Sequence, residues 1–146
     1  MRRTLLSTLT ALLVAVSMAT AHGAETVWSA LVMANNRAEP TPMPHELSRL
    51  EGTLQRFFNY NQYQVIGSSR QTLATGDEDW QTTSKFFSLH VNASGAVKSA
   101  YQLNLQLFQQ QKLLFETDAN LSKRSPLVIR GPMVGDGQLV LLLVVE

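Results

Sequence analysis

Between Val97 and Phe108 the chain alternates with a period of two. Val97, Tyr101, Leu103, Leu105 and Leu107 fall on one side, with Ser99 as the polar break. Lys98, Gln102, Asn104 and Gln106 fall on the other. A helix turns about 100° per residue and would scatter both sets around its axis, whereas a strand separates them onto two faces. This segment is therefore expected to be a long strand with one face on a core and one in water. The last stretch adds a second constraint. Leu139 to Val145 is unbroken apolar sequence rich in valine. It is far short of the roughly 20 residues a membrane-crossing helix needs, so it is expected to be a strand buried on both faces.

Most of the remaining chain follows the same grammar. Thr26–Ala34 is rich in β-formers and reads as a strand. Tyr63–Leu73 reads as a strand with Tyr63 and Val65 on one face. Ser84–Val91 reads likewise, with Phe87, Leu89 and Val91 together. Leu113–Leu121 and Pro126–Arg130 complete the set. The segments 75–80, 92–95, 109–111, 122–125 and 131–137 have turn composition.

One helix interrupts the β pattern. Pro40, Pro42 and Pro44 alternate and withhold backbone donors, so residues 37–44 are expected to form an extended connector. From His45 to Tyr60, Leu47, Leu50, Leu54, Phe57 and Phe58 form one helical stripe. Gly52 inside it costs about 1 kcal/mol relative to alanine. The expected fold class is mainly β with one helix. It is a small antiparallel sandwich or partly open barrel, with a strand-helix unit at its start and the helix over a sheet face or an open end.

The first 21 residues read as an address. Arg2 and Arg3 precede the apolar run Leu5–Val16, and Ala19-Thr20-Ala21 gives the small-x-small pattern of signal-peptidase sites. Cleavage after Ala21 leaves a single domain over residues 22–146. It removes two of the 12 basic residues and none of the 11 acidic ones, turning the net charge from +1 to −1. Such a chain has no general electrostatic attraction for nucleic acid. Export without a single cysteine suits a bacterial periplasm, and it excludes disulfide scaffolds, cysteine-ligated zinc and thiol nucleophiles.

Four features occur in order: Ala34-Asn35-Asn36 closing a strand, then Leu47, Leu50 and Leu54, then Tyr60 and Tyr63, then Gly131-Pro132 to Gly137 before Leu139. In this order the mature chain resembles small exported bacterial β-rich proteins of unknown function. That resemblance implies an envelope protein and supplies no catalytic residues.

Chemistry-bearing motifs are sparse. No Gly-x-Ser-x-Gly elbow, Ser-x-x-Lys pair, phosphate loop or dinucleotide fingerprint occurs. The three histidines, His22, His45 and His90, are not at metal-binding spacing. Asp77-Glu78-Asp79 lacks the alternate ligands and glycine of a calcium loop and reads as a solvated turn. Phe86 and Phe108 fall opposite the apolar faces of their strands and are expected to be covered by the helix or by sheet edges. The leading expectation is a non-enzymatic, protein-binding accessory module of the bacterial envelope, without a cofactor. Its polar strand face or an edge strand would meet the partner. The alternative is a periplasmic copper-binding protein. Cleavage after Ala21 would expose His22, whose amine and imidazole could share one copper ion with His45 or His90.

Overall fold

The computed structural model describes residues 24–97 and 99–146. The signal segment and His22 lie outside the described residues. Among the described residues, eight strands form two antiparallel sheets. Strands β1 (Glu25–Asn35), β2 (Gln62–Leu73), β7 (Leu127–Val134) and β8 (Gly137–Val145) make the first, in the order β2-β1-β8-β7. Strands β3 (Asp79–Thr83), β4 (Phe87–Val97), β5 (Ala100–Gln109) and β6 (Lys112–Ser122) make the second, in sequence order. The architecture is a small β-sandwich, and no barrel closes.

Alternation decides which side chains meet between the sheets. Val27, Leu31, Leu139, Leu141 and Leu143 of the first sheet pack on Leu89, Val91, Leu103, Leu105 and Leu107 of the second. Fully burying a leucine is worth about 1.5–3 kcal/mol, so this layer carries the fold. One polar pair crosses it. Trp80 Nε1 donates to Ser29 Oγ at 3.0 Å, which satisfies two buried polar groups at once.

The helical segment supplies a second apolar layer. It begins as a 3-10 helix, His45–Leu50, and continues as α1, Glu51–Phe57. Leu47, Leu50, Leu54 and Phe58 cover Trp28, Ala30, Val32, Val140 and Leu142 on the outer side of the first sheet. β1 and β8 are therefore buried on both faces, as the unbroken run Leu139–Val145 demanded. The buried Tyr63 hydroxyl donates toward Leu54 O and Phe58 O, both at 3.3 Å, partnering carbonyls at the helix end. Burial pushes its pKa up.

The two sheets meet most closely on one side. There β2 lies against β3, and Ser69 Oγ and Thr82 Oγ1 share a hydrogen bond of 2.6 Å. A Cβ at Gly67 would stand 2.1 Å from Thr83 O, so only glycine permits this approach.

Four local expectations are corrected. Residues 92–95 are not a turn. They run inside β4, where a register shift between Ala93 and Ala96 absorbs Gly95 at φ +111°. Residues 131–137 are not all turn either. β7 continues to Val134 through an irregularity between Arg130 and Met133, and Pro132 is tolerated because β7 is an edge. The segment 75–80 ends early, since Asp79 and Trp80 already belong to β3. The strand expected from Val97 begins at Ala100, with Val97 closing β4.

Candidate functional site

The outer face of the second sheet gathers polar side chains in cross-strand rows. Register places Asp79 beside Asn92, Asn92 beside Asn104, and Asn104 beside Asp118. The next row runs Gln81, His90, Gln106 and Glu116. Asn104 Nδ2 donates to Glu116 Oε1 and to Asp118 Oδ1, each at 2.9 Å. Asn92 Nδ2 donates to Asp79 Oδ1. The amide donors thus hold three carboxylates upright on a wet face. A shallow groove of about 320 Å³ runs over Asp79, Gln81, His90, Asn92, Asn104 and Gln106. Lys98, expected on this face, lies outside the described residues, while Gln102, Asn104 and Gln106 point away from the core as the alternation required.

The two described histidines, His45 and His90, are not brought together. His90 is half-buried on this outer face, its ring 4.6 Å from that of Phe108 at 42°. His45 is exposed at the start of the 3-10 helix, over the outer side of the other sheet. Both sheets lie between them, so one ion cannot take both. His45 borders a surface recess with Trp28, Arg70 and Glu146, at the end of the sandwich where β1 starts. Among the described residues, no three His, Asp or Glu side chains form a group able to hold a metal ion.

The acidic turn folds onto its own backbone. Glu78 Oε1 accepts from Ala74 N, Thr75 N and Thr75 Oγ1 at 2.7–3.0 Å, and Oε2 accepts from Gly76 N. These donors hold its carboxyl below the usual range, Thr75 N–H most strongly. Both oxygens are engaged in shaping the loop. A second carboxylate has a similar structural duty. Glu25 Oε1 accepts from Tyr101 Oη at 2.6 Å and pairs with Lys123 Nζ at 2.9 Å, tying the start of β1 to the second sheet.

The aromatic residues divide cleanly. Trp28 is buried beneath the helix and Trp80 between the sheets. The expected cover over Phe86 and Phe108 is corrected. The helix lies on the other sheet, leaving Phe86 exposed and Phe108 half-buried beside His90.

The remaining candidate is an edge. Of the four edge strands, β2 and β3 shield each other, and β7 carries Pro132 and a register irregularity. β6 has neither device along Phe115–Ser122. Beside it β6 approaches β7 and β8 less closely than β2 approaches β3, which leaves Leu114, Phe115, Leu127 and Ile129 only partly buried against the core. An unshielded edge of this length presents a row of free N–H and C=O groups to another strand. No reading of the sequence could isolate β6, because its exposure follows from strand order.

Comparison with protein-family models, curated proteins and solved structures finds no match. The site must be read from its own geometry.

Proposed function

We propose that this chain is a non-enzymatic bacterial envelope protein, exported by its first 21 residues, that binds another protein by strand addition at β6. The observation that carries this reading is the unshielded β6 edge beside a partly buried apolar seam. An incoming strand would pair its backbone with β6 and set alternate side chains over Phe115 and Ile129. Its other face would meet Glu116 and Asp118, which favours lysine or arginine there. The same acids oppose self-pairing, since a two-fold register centred on Thr117 sets Glu116 against Asp118 of a second copy.

Co-purification from an envelope fraction tests this. A specific partner should be retained by the native protein and lost by the doubly reversed Glu116→Lys, Asp118→Lys variant, whose circular dichroism stays native. A chain that retains nothing under mild conditions contradicts the proposal.

A second reading keeps copper, favoured by the position of His45 at the end of the sandwich where β1 begins. His22 is three residues before Glu25, a span of about 10 Å when extended. Under this reading His45, not His90, completes the site. Mass spectrometry of the exported protein followed by copper titration decides it. A mature start other than His22, or unchanged affinity in His45→Ala, removes the reading.

A further inference from the structure

Among the described residues five large apolar side chains are exposed. Ile66 (36% exposed) lies within β2, whereas Phe57 (56%), Phe86 (52%), Leu113 (45%) and Met133 (60%) lie on or within two residues of four different connections. Register brings those connections to one end of the sandwich. Asn35 pairs with Gln62, Val134 with Gly137, Phe87 with Gln109, and Gln109 with Lys112. Glu25 on Tyr101 aligns the sheets at the opposite end, and Thr83, the last residue of β3, lies against Gly67 midway along β2. Phe57 joins the group because Arg130 Nη2 donates to its carbonyl at 2.9 Å, while Tyr60 Oη approaches Met133 Sδ at 3.9 Å.

Charge is segregated along the same axis. The apolar end carries Arg37, Arg56, Lys85, Lys112 and Arg130 against Glu39, Glu51 and Asp136. Lys85 Nζ lies 5.3 Å from the Phe86 ring centroid, so cation and apolar side chain share one loop tip. The two ion pairs among the described residues, Arg70–Glu146 and Lys123–Glu25, are both at the opposite end.

We propose that this end docks on an anionic lipid bilayer surface, with Phe86, Leu113, Met133 and Phe57 entering the headgroup layer and the cations meeting lipid phosphates. Apolar side chains at or near several connections, each close to a basic residue, suit a broad, deformable, negatively charged plane. A folded protein would need one continuous complementary surface across separate tips. Lys112 and Leu113 open β6 at this end, so the docking is distinct from strand pairing along Phe115–Ser122, which runs along the side of the sandwich.

The chain has no cysteine, so single-cysteine labelling reads the orientation directly. A polarity-sensitive fluorophore is attached in Phe86→Cys, at the apolar end, or in Thr75→Cys, at the opposite end. Each full-length protein is mixed with phosphatidylcholine vesicles, with or without phosphatidylglycerol. The label at position 86 should shift to the blue only with phosphatidylglycerol, and added salt should reverse the shift. The label at position 75 should not respond, which separates this docking from any attachment through residues 1–23. Lys85→Ala and Lys112→Ala should each weaken binding about fivefold. Leu113→Ser should weaken it as well. A silent label at position 86, an equal shift at position 75, or indifference to phosphatidylglycerol would overturn the proposal. So would a position-86 label that responds to an envelope protein but to no vesicle.

Discussion

Gly67 is the residue on which the closed side of the sandwich depends. Its missing side chain lets Thr83 O approach, and the obstacle to any Cβ is backbone that cannot rotate away. Gly67→Ala should therefore destabilise the fold by about 1–3 kcal/mol in urea unfolding. Gly52 is the counterexample. Nothing stands within 4 Å of a Cβ built there, and it lies in a helix, so Gly52→Ala should stabilise by up to about 1 kcal/mol. The Glu25–Tyr101 contact gives a signed pH dependence. Hydrogen bonding from Tyr101, then Lys123, holds the Glu25 carboxyl below its ordinary 4.5. That stabilisation is present above the ordinary value and is lost as pH falls through the folded one. Burial, then the bond to Glu25, pushes the Tyr101 hydroxyl up to about 12. Its contribution is complete below the ordinary value of 10 and is lost as pH rises through about 12. Tyr101→Phe should flatten the alkaline limb of urea midpoint against pH and reduce the acid limb. An unchanged profile would show that the contact does not couple to folding.

Elements were legible where one face is buried and the other wet. Leu103, Leu105 and Leu107 against Gln102, Asn104 and Gln106 fixed β5 in advance, because inverting that strand would bury amides. β8 was legible for the opposite reason, since an unbroken apolar run needs cover on both faces. β3 was not legible. Its five residues offer only Trp80 and Thr82 to the core, and the acids before them have turn composition. Ala93–Ala96 and Arg130–Met133 misled because glycine and proline also serve register shifts inside strands. The helix was read correctly at Leu47, Leu50 and Leu54, but its first half is 3-10, Phe57 of the expected stripe is exposed, and Phe58 packs from extended chain just past the helix end. Leu54 is the fully buried anchor of that stripe, so Leu54→Ala should cost about 2–5 kcal/mol in the same unfolding measurement.

At the scale of the whole molecule, function depends on features set by strand order. No local pattern says that β6 ends a sheet, that β2 and β3 guard each other, or that Phe57, Phe86, Leu113 and Met133 lie toward one end. The polar outer face could be anticipated from alternation, but its rows of amides and carboxylates appear only once register is known. The histidines show the same limit in reverse, since sequence allowed either His45 or His90 and the sandwich sets them on opposite sides. The central claim is strand addition at β6. Site-specific cross-linking from single cysteines, at Asn120→Cys on β6 and Thr72→Cys on β2, tests it most directly. In envelope preparations, Asn120→Cys should yield one discrete adduct that disappears with Glu116→Lys, Asp118→Lys, and Thr72→Cys should yield none. No adduct from β6, or the same adduct from both strands, would contradict the account.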